Sequence, residues 1–157
     1  MKYSLIIFIT LLLFNCNNNS PEKIFKEANE YRKNKNLKDA IISYENIIDN
    51  YPMHNFASKA QFQIADIYLN DLKEYDYAID IFKKIISEYP NTEVAKKSLF
   101  MSGYVYNNYL NAYSDAIEMY TNFQSTYPED NLIPSVEYEL EGLEVINIKI
   151  DSLKNIK

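Results

Sequence analysis

The apolar residues of this chain follow a helical spacing that recurs along the sequence. Five apolar residues lie at positions i, i+1, i+4, i+7 and i+8, which places them on one stripe of an α-helix. This stripe occurs three times with a constant period, and only the last position of the third copy is polar. The three copies are Ala40, Ile41, Tyr44, Ile47 and Ile48; Ala78, Ile79, Phe82, Ile85 and Ile86; and Ala116, Ile117, Tyr120, Phe123 and Gln124.

Each stripe is followed by a Tyr-Pro pair, at residues 51–52, 89–90 and 127–128. Proline cannot donate the helical hydrogen bond and disfavours helical angles in the residue before it, so these pairs predict three helix ends. Asp76 and Ser114 are suitable N-cap residues for the second and third of these helices, and Asn36 for the first.

A second helical pattern precedes each stripe and consists of a small residue with a tyrosine three positions later. These pairs are Ala28/Tyr31, Ala65/Tyr68 and Gly103/Tyr106. The last two pairs keep the period of the stripes, whereas the first two are one residue closer together. This difference predicts that the turn of the first unit is one residue shorter.

The repeating unit is therefore helix, short turn, helix and proline. Its period is the constant distance from Ala40 to Ala78 and from Ala78 to Ala116. A fixed period of this length is typical of a solenoid, in which each unit buries its apolar face against its neighbours. We predict an all-α solenoid over residues 21–157, with three helical hairpins and a capping helix that begins at about residue 134.

The pattern of small, aromatic and proline residues resembles the tetratricopeptide repeat (TPR) family. The resemblance covers Ser20 to Leu153, although the period is longer than the roughly 34 residues that are usual in this family. It implies helical hairpins in which the small residue allows close approach and the aromatic residues fill the space between helices. The resemblance also implies a non-catalytic interaction scaffold.

The N-terminus reads as a targeting segment. Residues 3–14 are almost wholly apolar, too short for a comfortable membrane span and typical of a signal peptide. Cys16, the single cysteine, follows this run and resembles the lipidated cysteine of bacterial lipoproteins, although Asn15 stands where a small residue is usual. We expect a signal peptide at 1–15 and a lipidated Cys16 with a polar tether at 16–20; the alternative is an uncleaved anchor.

Together, the repeats and the lipidation motif resemble the envelope lipoprotein branch that includes BamD of the β-barrel assembly machine and the Tol-associated protein CpoB. This resemblance implies a lipid-anchored scaffold on the periplasmic face of the outer membrane, because Asn17 is not the aspartate that retains lipoproteins at the inner membrane. The implied roles are outer-membrane protein assembly or, alternatively, Tol-Pal and cell-wall coordination.

The resemblance also implies that the first helix of each hairpin lines a concave face. We expect a partner protein or peptide to bind there, at positions counted from the small residue of each repeat. An alternative is that the aromatic positions belong to the core between repeats, which would leave a structural spacer without a groove. The candidate residues are Phe25, Asn29, Arg32, Phe62, Asp66, Leu69, Phe100, Tyr104, Asn107 and, in the cap, Tyr138.

Other chemistry finds little support in the sequence. The net charge of −6 disfavours nucleic acid as a partner, because phosphate backbones are repelled. His54 is the single histidine and has no carboxylate or cysteine near it in sequence, and Glu137, Glu141 and Glu144 share one helix face that we expect to be solvated. We therefore expect no catalytic residue, cofactor, metal site or small-molecule substrate; an envelope enzyme using His54 or these glutamates is the alternative of another class.

Overall fold

The computed structural model describes residues 20–154. The predicted signal peptide, Cys16 and Asn17 to Asn19 lie outside the described residues. The described chain forms α-helices with short connections, and two of the helices continue into a π-helical segment. Their bounds are α1 Pro21–Lys33, α2 Leu37–Asn50, α3 Asn55–Asp66 with π-helical Ile67–Leu72, α4 Tyr75–Glu88, α5 Glu93–Val105 with π-helical Tyr106–Leu110, α6 Tyr113–Thr126 and α7 Ile133–Lys154.

Consecutive helices pack against each other as hairpins. The pairs α1/α2, α3/α4 and α5/α6 form three hairpins, and each hairpin packs against the next. α7 packs against α6 and begins at Ile133, which confirms the capping helix expected from about residue 134. Contacts are therefore mostly between neighbours along the chain, as in a solenoid. Within residues 20–154, no helix is long and apolar enough to cross a bilayer.

The three predicted stripes supply the core. Ala40, Ala78 and Ala116 are fully buried, and so are the aromatic residues four positions later in each helix. Each of these helices ends at the tyrosine before proline, whose backbone N–H donates to the carbonyl four residues earlier. The prediction of the second helices from apolar spacing and proline is thus confirmed.

The turns inside the hairpins share one left-handed residue. Lys35, Lys73 and Asn111 have φ values of 61°, 63° and 53°, and they recur with the same period as the stripes. This conformation ends the first helix of each hairpin abruptly, so the second helix begins earlier than predicted. The N-caps of α4 and α6 are Glu74 and Ala112, not Asp76 and Ser114.

Asp76 and Ser114 lie within the first turn instead. There the carboxylate of Asp76 faces the positive end of the helix dipole, which is a favourable place for a negative charge. Asn36 is the N-cap of α2 as predicted, but its side chain donates to Asp39 Oδ2 at 2.6 Å and caps no backbone group.

The one-residue difference between repeats lies in the first helix and not in the turn, which corrects the prediction. In every repeat the carbonyl of the recurring tyrosine accepts a hydrogen bond from the residue after the left-handed one. Asn36 N–H reaches Tyr31 across five residues, whereas Glu74 reaches Tyr68, and Ala112 reaches Tyr106, across six. The extra residue is accommodated by the π-helical segment, as expected for a single insertion into an α-helix.

Two helices approach each other closely at Gly103. A Cβ at this position would lie 2.8 Å from Cε1 of Tyr120, a fully buried ring on α6. This confirms, for the third hairpin, the role expected for the small residue of the first helix.

Candidate functional site

The candidate residues lie on the first helices of the hairpins and on the capping helix. We call the surface formed by α1, α3, α5 and α7 the first-helix face. It is continuous, because α3 packs against both α1 and α5 and Asn107 of the α5 helix donates a hydrogen bond of 2.8 Å to Glu139 of α7. A surface of this kind presents side chains from several repeats to one partner.

Most of the aromatic series faces inward. The ring of Phe25 packs edge-on against Tyr44 and Phe56, with centroids 5.4 and 4.9 Å away. Phe62 is 7% exposed and packs against Phe82. These two side chains therefore act chiefly as core between helices.

The remaining aromatic positions differ from each other. Phe100 is half-buried against Tyr120 and Phe123. Tyr138 of the cap is 75% exposed and is open to a partner. Tyr104 is half-buried, with its ring edge-on to that of Tyr109. The exposed aromatic surface is thus concentrated towards the α5/α7 end.

Arg32 and Asp66 belong to an ion-pair network that joins the first two hairpins. Arg32 Nη2 lies 2.6 Å from Asp66 Oδ2 and 2.9 Å from Asp71 Oδ2. Arg32 Nη1 donates to Gln63 Oε1 at 3.0 Å, and Lys35 Nζ donates to Asp71 Oδ1 at 2.9 Å. Partial desolvation opposes ionisation of Asp71, but hydrogen bonds from Lys35 and Arg32 outweigh it and lower its pKa.

The other polar candidates are also engaged inside the chain. Asn29 Oδ1 accepts a hydrogen bond of 2.6 Å from the hydroxyl of Tyr44, and Asn107 donates to Glu139. Leu69 is 2% exposed, so its inclusion in the binding surface was wrong. Leu69 belongs to the apolar core that the second and third hairpins form together with α7.

Sequence reasoning missed two lysines that shape this face. Lys97 Nζ lies 4.6 Å from the ring centroid of Phe62, and Lys59 Nζ lies 4.9 Å from that of Phe56. Both lysines line a depression of about 260 Å³ between α1, α3 and α5. Their positions, each one turn before Phe62 or Phe100 and one full period apart, were a signal available in the sequence.

His54 has a structural role. It is the N-cap of α3, and its Nδ1 accepts a hydrogen bond of 3.3 Å from Phe56 N–H. Its Nε2 lies 3.4 Å from Glu22 Oε1, a carboxylate distant in sequence, and its ring stacks on Phe56. The geometry uses both ring nitrogens to fix the start of a helix.

The glutamates of the cap lie at the surface. Glu137, Glu141 and Glu144 are exposed and border an open groove between α6 and α7. Within residues 20–154, no group of three or more histidine, cysteine or acidic side chains is placed to hold a metal ion. The arrangement offers these carboxylates to solvent, as expected for a solvated helix face.

Comparisons with known proteins agree with this architecture. The family model for the tetratricopeptide repeat matches residues 59–92 and 97–130, and the two matches begin one full period apart. The fold is thus an all-α solenoid of TPR-type helical hairpins, and the family model covers the second and third of them. No protein of curated function matches the sequence.

Two solved structures are similar in fold. The N-terminal domain of stress-induced protein-1 (STI-1) from C. elegans superposes with a TM-score of 0.63 and 16% identity, covering 80% of this chain and 98% of that one. MamA (41-end) from Desulfovibrio magneticus RS-1 gives a TM-score of 0.53 at 14% identity, covering 88% of this chain and 78% of that one. At these identities the likeness concerns the fold alone.

Proposed function

We propose that this solenoid of TPR-type helical hairpins is a non-catalytic scaffold that binds another envelope protein or a peptide segment on its first-helix face. A lipid on Cys16 would hold it at the periplasmic face of the outer membrane, and its role would resemble that of BamD in outer-membrane protein assembly. The observation that carries the proposal is the continuity of α1, α3, α5 and α7 into one surface.

The geometry favours binding over catalysis. The polar candidates on the first-helix face are held by contacts within the chain, as Arg32 is by Asp66 and Asp71 and Asn107 is by Glu139. Such a pre-ordered surface loses little side-chain entropy when a partner docks, which favours association. The exposed Tyr138, together with Lys59 and Lys97, supplies an aromatic anchor and charge of the types that recur at interfaces.

The proposed anchor rests on the sequence before α1. An apolar run that ends just before Cys16 suits export and lipidation, and Ser20, the last residue of the polar tether, caps α1. The folded repeats would thus begin within a few residues of the membrane surface. Stable attachment by acyl chains needs no basic patch, which agrees with the acidic composition of the chain.

The partner is tested by photo-crosslinking in intact cells. A crosslinking residue replaces Tyr104 or Lys97 on the first-helix face, and the matched control replaces the exposed Ile42 on the second helix α2. Adducts with a β-barrel assembly component from Tyr104 and Lys97, and none from Ile42, would support the proposal. Adducts with Tol or cell-wall proteins would assign the alternative role, and adducts from Ile42 alone would refute binding on the first-helix face.

The anchor is tested separately. The Cys16→Ser variant is compared with the unmodified chain by metabolic labelling with palmitate and by membrane fractionation. We expect loss of the label and release from the membrane fraction. A variant that stays in the membrane would instead indicate an uncleaved N-terminal anchor.

A further inference from the structure

A second cavity lies on the opposite helices of the hairpins. It opens to solvent between α2 and α4, has a floor formed by α3 and its π-helical segment, and has a volume of about 550 Å³. None of the candidate residues of the first-helix face lines it. Its walls combine isoleucines, two tyrosines and charged residues: Glu45, Ile48, Asp49, Gln61, Ile64, Tyr68, Tyr77, Asp80, Ile81 and Lys84.

The floor holds a buried amide oxygen that has no hydrogen-bond partner among the described residues. Gln61 is 3% exposed, and within the described residues its Oε1 accepts no hydrogen bond. Buried acceptors are almost always paired in folded proteins, because a buried oxygen that has lost its water and gained no donor is costly. A ligand that fits this cavity should therefore bring a hydrogen-bond donor to Gln61.

The charge of the walls specifies that donor further. Glu45, Asp49 and Asp80 place three carboxylates around the cavity against one ammonium group, that of Lys84. Lys84 is largely exposed and its Nζ lies 3.9 Å from Glu88, on the same helix. The cavity is thus acidic, and a positively charged group is complementary to it.

One period along the chain, a lysine occupies the position equivalent to Glu45 of this cavity. Moving one period along the chain replaces Glu45 by Lys83, Gln61 by Leu99 and Tyr68 by Tyr106. Lys83 Nζ lies 5.4 Å from the ring centroid of Tyr106, a cation–π contact. In the cavity between α2 and α4, Tyr68 takes the place of Tyr106. There the carboxylate of Glu45 replaces the lysine, and Gln61 replaces the leucine.

We propose that the cavity between α2 and α4 binds an arginine or lysine side chain from a basic peptide segment of a partner protein. The cation lies over the ring of Tyr68, as Lys83 lies over Tyr106, and is paired with the surrounding carboxylates. Its N–H groups donate to Gln61 Oε1, and its aliphatic stem packs against Ile64 and Ile81. Arginine fits best, because its planar fork can donate to the amide and to a carboxylate at once.

This inference concerns a surface distinct from the first-helix face, so it stands or falls independently of the proposed function. The test uses the full chain in detergent, with isoleucine methyl groups labelled for NMR. The probe is the peptide acetyl-Ala-Leu-Arg-Leu-Ala-amide, and its control carries citrulline, which is uncharged, in place of arginine. We expect the arginine peptide to shift the methyl signals of Ile48, Ile64 and Ile81, and the citrulline peptide to bind at least about tenfold more weakly.

Two variants introduce into the cavity the residues that the chain has one period later, Lys83 and Leu99. Glu45→Lys puts a cation into the cavity at the position equivalent to Lys83. Gln61→Leu puts a leucine at the position equivalent to Leu99. We expect Glu45→Lys to weaken peptide binding by about tenfold or more, and Gln61→Leu by several-fold. The matched control is Glu118→Lys, which makes the same charge change on α6, outside this cavity.

The control separates a site from general charge attraction. Binding that survives Glu118→Lys but is lost in Glu45→Lys supports the proposal. If both variants weaken binding equally, or if the citrulline peptide binds as well as the arginine peptide, the proposal is wrong. A circular dichroism spectrum identical to that of the unmodified chain checks that each variant is folded.

Discussion

Tyr44 and Tyr120 occupy the same position in the first and third hairpins, and both side chains are fully buried. Their hydroxyl groups differ in one respect. Tyr44 donates a hydrogen bond of 2.6 Å to Asn29 Oδ1, whereas the hydroxyl of Tyr120 has no partner among the residues that the structure describes. The second hairpin has Phe82 at this position, so a phenylalanine ring fits the same space.

The two Tyr→Phe variants should therefore change stability in opposite directions. Tyr44→Phe removes a hydrogen bond and leaves the exposed Asn29 free to bind water, which costs about 0.5–1.5 kcal/mol. Tyr120→Phe removes a hydroxyl that lost its water on folding, which recovers up to about 1–3 kcal/mol. Burial raises the pKa of Tyr44 to about 12 and raises that of Tyr120 as well, in agreement with desolvation of both groups.

The assay is urea unfolding of the two variants, followed by far-UV circular dichroism at pH 7. We expect the midpoint to fall for Tyr44→Phe and to rise for Tyr120→Phe, with free energies of unfolding that differ by about 2 kcal/mol. For a chain of this size, this is a difference of about 4–8 °C in Tm. The Asn29→Ala variant, alone and combined with Tyr44→Phe, measures the energy of the single hydrogen bond.

One result would refute this reasoning. If Tyr120→Phe destabilises the chain as much as Tyr44→Phe does, the hydroxyl of Tyr120 has a hydrogen-bond partner, for which a buried water is the natural choice.

Two further predictions concern the glycines and the ion-pair network. Gly103→Ala should lower the free energy of unfolding by about 1 kcal/mol, because the clash with the Tyr120 ring exceeds the gain in helix propensity. Gly142→Ala should raise it by up to about 1 kcal/mol, because an added Cβ meets nothing within 4 Å beyond its own helix. Urea unfolding that ranks the two variants the other way would contradict the packing argument. Asp71→Asn should cost about 1 kcal/mol at pH 7, through loss of the charged contact with Arg32. Since the folded-state pKa of Asp71 is lowered, its contribution is present above the unfolded pKa of about 4 and disappears as the pH falls through the folded value, so the urea midpoints of the variant and the unmodified chain should converge at low pH. A difference that persists unchanged there would show that charge is not its source.

The second helices of the repeats and the capping helix were readable from the sequence, because they depend on local rules. The stripe that begins at Ala78 fixes which side of a helix is buried, and Pro90 fixes where that helix ends. The N-caps of α4 and α6 were misplaced, because a left-handed residue such as Lys73 gives no signal of its own when it is not glycine.

The arrangement of side chains on the first-helix face was less predictable, because it depends on contacts between residues that are distant in the sequence. Arg32 and Asp71 are 39 positions apart, and no spacing rule pairs them. Likewise, counting from the small residue places Leu69 and Asn107 at equivalent positions, although one is buried and the other is hydrogen-bonded to α7. Periodicity gives the helix on which a residue lies, whereas its neighbours depend on how the hairpins stack.

The π-helical segments have a consequence for how this chain can vary in length. The left-handed turn residues keep a strict period, although the first repeat has one residue fewer between its small residue and its turn. A deletion within Ile67–Leu72 could therefore restore a regular α-helix, as in α1, without changing the phase of any later hairpin. The first helix of each repeat absorbs an insertion or deletion locally, so a protein of this design can gain or lose a residue there while its later hairpins stay in register.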